Sequence, residues 1–155
     1  KTVLVVGTVD YEFKKEVAKH DVVATYVDEI NTDEVFDVVL YNNKVIDEQI
    51  MAQINRVLEP KTGIFNCRSN SYHKREIEFK EKLETVGKDF WICMPYKFGH
   101  DNAILASKKF HPQAEIVLQV SDLLPDCNYY NTEVHNCPFI YPQYIHRELT
   151  GIAKR

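Results

Sequence analysis

Three features of the sequence predict an α/β fold: a mostly parallel sheet, helices on both faces and antiparallel strands at one edge. Short apolar runs alternate with segments of helical spacing along most of the chain, as in a doubly wound sheet. The first run, Val3-Leu4-Val5-Val6, is continuously apolar and stops at Gly7, as expected of a strand buried on both faces. Two later runs, near residues 90–94 and 102–106, have no helical segment between them and so predict an antiparallel pair.

Taken in order, residues 2–6 form the first strand. Asp10 is placed to cap a helix whose stripe is Phe13, Val17 and Ala18. Residues 22–27 and 36–41 read as the second and third strands. A helix over residues 46–58 follows, with Ile46, Ile50, Ile54, Val57 and Leu58 at helical spacing. Pro60-Lys61-Thr62-Gly63 is a turn, and residues 64–67 are a fourth strand. The charged segment 73–86 predicts a helix with Ile77, Leu83 and Val86 inward, and Gly87 stands at its C-terminal stop. The antiparallel pair turns around residues 95–100, and residues 121–124 and 143–149 give short helical pieces. No repeat, low-complexity segment or linker interrupts the series, so residues 1–155 read as a single domain.

Composition narrows the function classes. The 155 residues are 45% hydrophobic, enough for one core, and the formal net charge is -4. That balance gives no reason to expect nucleic acid or an anionic membrane surface as a partner. No apolar run approaches the roughly 20 residues of a membrane helix, and the N-terminus carries no signal pattern. Cys67, Cys93, Cys127 and Cys137 are scattered, which suits reduced thiols and a cytoplasmic protein. His135 and Cys137 with Cys127 or His111 lack the paired spacing of a zinc site, so no metal is expected.

In a doubly wound sheet the ligand lies beyond the carboxyl ends of the strands, at the point where strand order reverses. Gly7 and Asp10 follow the first strand there, where a glycine lets the backbone approach a ligand closely. Asp28 ends the second strand, in the position of an acid that grips ribose hydroxyls. A turn glycine and a solvated carboxylate are the plainer readings of the same residues.

The distinctive stretch is Tyr129-Tyr130-Asn131-Thr132-Glu133-Val134-His135-Asn136-Cys137-Pro138-Phe139, with Tyr141-Pro142 behind it. It resembles the Tyr-Tyr-Asn-x-Asp-Val-His-x-Ala-Ala-Phe-x-Leu-Pro motif of the polyamine aminopropyltransferases, the spermidine synthases. Phe36-Asp37-Val38-Val39-Leu40-Tyr41-Asn42 is similar to that family's fourth-strand pattern, Met94-Pro95-Tyr96 to its Ile-Pro-Thr-Tyr segment, and Gly99 to Lys108 to the strand after it.

The resemblance implies a Rossmann-like, class I methyltransferase-like catalytic domain, with the family's small N-terminal β-domain expected to be absent. It implies transfer of an aminopropyl group from decarboxylated S-adenosylmethionine, as co-substrate, to putrescine or a related amine, without a cofactor. An acidic balance suits such a cationic acceptor, and a homodimer is the expected assembly. Asn42 stands where the family carries its catalytic Asp, and an amide cannot take a proton. Asp47 is the nearest downstream carboxylate, although a first-turn acid also simply favours the helix dipole. Tyr96 is expected to line the amine pocket, and Tyr129, Tyr130 and His135 to face or buttress the ligand. Only seven residues separate Asp28 from Phe36, where the family inserts a helix and a strand bearing an Asp that reads adenine. Two further readings follow: a weakly active or inactive relative that binds a nucleoside or polyamine or acts as a structural partner, and a small-molecule methyltransferase using S-adenosylmethionine.

Overall fold

The computed structural model describes residues 1–124 and 126–155. It shows a six-stranded sheet in the order β2-β1-β3-β4-β6-β5. The strands are β1 (Thr2–Val6), β2 (Val23–Val27), β3 (Val38–Tyr41), β4 (Ile64–Ser69), β5 (Ile92–Phe98) and β6 (Asp101–Ser107). Neighbours are parallel from β2 through β4, and β6 runs antiparallel to both β4 and β5. Only β6 is reversed, and it lies second from the edge rather than at it.

Alternation along β1 sorts its side chains onto two faces. Leu4 and Val6 join the main core with Val39, Tyr41, Phe65, Cys67, Cys93 and Ile104. Helices α2 (Glu48–Val57) and α3 (Glu76–Gly87) cover that face, burying Met51, Ile54, Val57, Phe79, Leu83 and Val86. The opposite face carries α1 (Tyr11–Val17), which has no buried residue. At its far side, Phe139 of a 3-10 helix (Val134–Phe139) packs on Ile92 and Met94 of β5. Between the two, this face stays open.

Several sequence expectations are corrected. Ile77 is 73% exposed, and Phe79 takes the inward position. Phe79, Leu83 and Val86 stand at the i, i+4, i+7 spacing of one face, which places Ile77 on the other. Gly87 is the last residue of α3 without a left-handed turn; the positive-φ glycines are Gly7, Gly99 and Gly151. The hairpin turns at Gly99-His100, because Pro95 lies within β5, an edge strand where its missing N–H costs no ladder bond. The short helix α4 is Leu118–Ser121, ahead of the predicted position, and α5 is Gln143–Glu148. Asp47 is the N-cap of α2, one residue before its first turn. Val17 and Ala18 form no buried stripe on α1.

Among the described residues, neither helix nor strand lies between Val27 and Val38 apart from a lone bridge of Phe36 to Leu58. Strand β2 is therefore the sheet edge. Among the described residues, no helix is long and apolar enough to cross a membrane.

Candidate functional site

The carboxyl ends of β1, β2 and β3 are tied together by backbone and amide hydrogen bonds. Gly7 leaves β1 at φ 97, and its N–H donates to the Val27 carbonyl at 2.8 Å. A Cβ at Gly7 would lie 2.5 Å from Asn43 Oδ1, so the position has room only for glycine. The Asn42 backbone N–H donates to Val6 at 2.8 Å, and its side-chain amide donates to the Thr8 carbonyl. The Asn43 amide donates to the Asp28 carbonyl at 3.3 Å. Both asparagines thus hold the strand ends in place.

Beside these ends a groove of about 620 Å³ opens on the uncovered face of the sheet. Its floor is apolar, from Val5, Val38, Leu40, Ile64 and Leu105, with Phe13 of α1 as one wall. Polar groups stand around it: Asp10 and Asn42 on the side of β1 and β3, and Asn66, Arg68 and Tyr96 next to them on β4 and β5. Such a mostly apolar cleft with a few convergent polar groups is the usual form of a small-molecule site. The Asp10 carboxylate caps α1, accepting from Phe13 N–H at 2.8 Å through one oxygen. The Tyr96 hydroxyl accepts from the Asn66 amide at 2.8 Å. Burial pushes the phenols of Tyr41 and Tyr96 up from their ordinary value, so both stay neutral.

The structure brings Asp10, Asn42 and Tyr96 to one groove, with Gly7 and Asp28 on the loops behind it. It places Asp47 elsewhere: its carboxylate accepts from Ile50 N–H at 2.8 Å and borders a separate depression with Lys44 and Lys82. Tyr129, Tyr130 and His135 are not among the residues that line the groove. Tyr129 is 74% exposed. His135 donates from Nε2 to the Pro112 carbonyl at 2.6 Å, and its Nδ1 lies 2.8 Å from the Tyr130 hydroxyl. That hydroxyl continues to Ser121 at 3.1 Å, and Ser121 to Thr132 at 2.7 Å. The His135 ring packs on Phe139 at 6.3 Å between centroids, and Phe139 on Tyr96 at 5.5 Å. The motif thus meets the groove only indirectly, through Phe139 packed on Tyr96.

The same segment returns to α1. Lys19 donates to the Asp126 carbonyl at 2.8 Å, and Asn128 N–H to Glu16 at 3.1 Å. Cys127 faces His20 at 4.0 Å, and Cys137 the Glu133 carbonyl at 3.9 Å, so these cysteines and His135 are directed to different partners. Among the described residues, no three His, Cys, Asp or Glu side chains are grouped to hold a metal ion.

Asn66 and Arg68 were not singled out from the sequence. Their signal was present: two polar residues two apart in an otherwise apolar strand share one face.

No protein-family model matches the chain. It is similar to the polyamine aminopropyltransferase of Helicobacter acinonychis (strain Sheeba), with 24% identity over 102 residues, 63% of this chain and 38% of that protein. The match thus spans less than half of the relative's length. Among solved structures, the spermidine synthase of Thermotoga maritima superposes with a TM-score of 0.82 at 20% identity, over 97% of this chain and 68% of that one. A spermidine synthase in complex with the transition-state analogue AdoDATO gives 0.83 at 21% identity over the same shares. Human methyltransferase-like protein 13 in complex with SAH gives 0.53 at 13%, over 76% and 75%. The fold is that of these proteins, and in sequence the chain is similar to a polyamine aminopropyltransferase at low identity over part of its length.

Proposed function

We propose that the groove binds an adenosyl thioether or sulfonium at its β1–β3 end and a primary amine at its Tyr96 end. The activity would be that of a spermidine synthase-like aminopropyltransferase. The observation that carries the reading is the continuity of one apolar groove from Asp10 and Asn42 to Tyr96. That groove joins the loop that would take a nucleoside to the tyrosine that would meet an amine. The likeness to a spermidine synthase bound to AdoDATO supports the same reading.

In this reading Gly7 and Asp28 receive the nucleoside, with Asp28 accepting from the ribose hydroxyls. The donor is decarboxylated S-adenosylmethionine, whose sulfonium is a good leaving group. Catalysis then rests mainly on aligning an uncharged amine in line with the reactive carbon. The amine nitrogen forms the new C–N bond, the C–S bond breaks, and its electron pair stays on sulfur in methylthioadenosine. The proton lost from nitrogen goes to water or a nearby base. Asn42 holds the amine by hydrogen bonding, and putrescine is the simplest acceptor. Residues 1–155 act as the catalytic domain, and the assembly is a homodimer.

A second reading is favoured by one observation. Asn42 and Asn43 are both spent on tying strand ends, which suits a relative that binds the nucleoside with little turnover.

Calorimetric titration with decarboxylated S-adenosylmethionine and with methylthioadenosine tests both readings. Micromolar binding of each, followed by transfer to putrescine, supports the enzyme. Binding without transfer to putrescine or to any other primary amine supports the second reading, and activity gained in Asn42→Asp would strengthen it. Absence of binding at millimolar ligand overturns both. Turnover with S-adenosylmethionine in place of the decarboxylated donor would instead identify a methyltransferase.

A further inference from the structure

Arg68 gives the groove a charge that a diamine does not match. Tyr41 and Cys67 are register partners in β3 and β4. The next residues, Asn42 and Arg68, therefore leave the sheet side by side, about 4.8 Å apart by ordinary strand spacing. Among the described residues lining the groove, Asp10 is the one carboxylate and Arg68 the one cation. Asp10 stands at the β1 end, where the donor is proposed to sit, and one of its oxygens already holds α1. Arg68 stands toward Tyr96 and Phe98, where the acceptor would lie.

Among the described residues, the Arg68 guanidinium makes one loose ion pair and no side-chain hydrogen bond. Its nearest acid, Asp101, is 3.9 Å away, beyond hydrogen-bond distance, and both side chains are about half exposed. Phe98 lies 5.9 Å from the guanidinium carbon, which supports the planar group without using its N–H donors. A guanidinium with free N–H donors at the mouth of an apolar groove attracts a carboxylate in bidentate geometry and repels an ammonium.

Resting on the aminopropyl-transfer reading, we propose that the acceptor is a primary amine whose far end is anionic, an amino-carboxylate, rather than a diamine. The carboxylate pairs with Arg68, the methylene chain lies on Leu40, Ile64 and Leu105, and the free amine faces the donor. The uncharged amine attacks the carbon next to sulfur; the C–N bond forms, the C–S bond breaks with its electrons to sulfur, and the ammonium proton leaves to water.

The test uses the whole chain saturated with methylthioadenosine, with 4-aminobutyrate and putrescine as probes of similar length. Binding is read by calorimetry, and transfer by release of methylthioadenosine from the decarboxylated donor. A charge-assisted bidentate pair supports an expected preference of about tenfold for 4-aminobutyrate. Arg68→Gln should remove most of that preference, and Arg68→Glu should turn it toward putrescine. Arg68 is exposed, so both variants are expected to fold, and a thermal melt checks this. Putrescine bound as well as 4-aminobutyrate, or a preference unmoved in Arg68→Gln, overturns the proposal while leaving aminopropyl transfer standing. Failure of methylthioadenosine to bind overturns the transfer reading and this proposal with it.

Discussion

At the scale of single residues, the amide of Asn42 is a donor that an acid cannot replace. It gives a hydrogen to the Thr8 carbonyl. In Asn42→Asp a carboxylate oxygen would face that carbonyl, so the tie is lost and the charge turns outward. Losing a partner in this way costs about 1–3 kcal/mol, which urea denaturation would read as a lower midpoint with an unchanged slope. A midpoint equal to the parent's would show that the amide does not hold Thr8. Gly7 is more demanding, since a side chain there meets both positive φ and Asn43. Gly7→Ala should cost at least about 1–3 kcal/mol and weaken methylthioadenosine binding together with stability. Much of this site was legible as composition. Gly7, Asp10, Asn42 and Tyr96 were named from their places after strands or in a motif; the last three line one groove, and Gly7 lies on the loop behind it. Arg68 was overlooked because a charged residue inside an apolar strand reads as a solvated position until the open face is seen. The separation of Asp47 had the opposite cause: its helix-dipole reading was available in the sequence, and the structure makes it the N-cap of that helix.

At the scale of elements, two N-caps of the same chemistry separate stability from binding. Asp10 and Asp47 each accept from the N–H three residues on, at 2.8 Å in both cases. Replacing either by Ala should cost about 1 kcal/mol, the usual value of such a cap. Only Asp10 also lines the groove. Asp47→Ala is therefore expected to lower the melting temperature with methylthioadenosine affinity retained, whereas Asp10→Ala should lower both. Asp10→Ser keeps the cap and removes the charge, so it should restore stability but not affinity. Equal loss of affinity in Asp47→Ala would bring the α2 end into the site. Elements with strong periodicity were the legible part of the fold: β1, β2, β4 and the β5–β6 pair were readable within a few residues. Boundaries failed where tertiary packing decided them. Ile77 has the hydrophobicity of a core residue, but the phase of α3 is set by Phe79, Leu83 and Val86 against the sheet. The 3-10 helix Val134–Phe139 was not foreseen, because Pro138 inside it breaks the spacing from which a helix is read.

At the scale of the whole molecule, the groups buried by folding set a pH window for stability. Burial pushes the thiols of Cys67 and Cys93 up to about 12. Burial, followed by the hydrogen bond to Glu148, pushes the Tyr72 phenol up to about 12. A group raised on folding contributes its full stability below its unfolded value and loses it as pH climbs toward the folded one. For the thiols that interval runs from the ordinary 9.0 to about 12. In the other direction, the hydrogen bond from Tyr72 holds the Glu148 carboxyl below its ordinary 4.5, aided by Lys80 at 3.0 Å. The Thr2 backbone N–H likewise holds the Asp37 carboxyl below 3.8. Those depressed groups contribute above their ordinary values and lose it as pH falls through the folded ones. Stability should thus be level between about pH 5 and 9 and decline on both sides. On the alkaline side each buried thiol adds a slope of about 1.4 kcal/mol per pH unit, so the fall is steep. Urea midpoints from pH 4 to 11 would trace the curve. The double variant Cys67→Ala with Cys93→Ala distinguishes the thiols from the phenol. It should be weaker than the parent at pH 7, because two buried side chains shrink, yet lose less between pH 9 and 11. A parent curve flat to pH 11, or an alkaline limb equally steep in the double variant, would mean that the thiols are not what folding holds neutral.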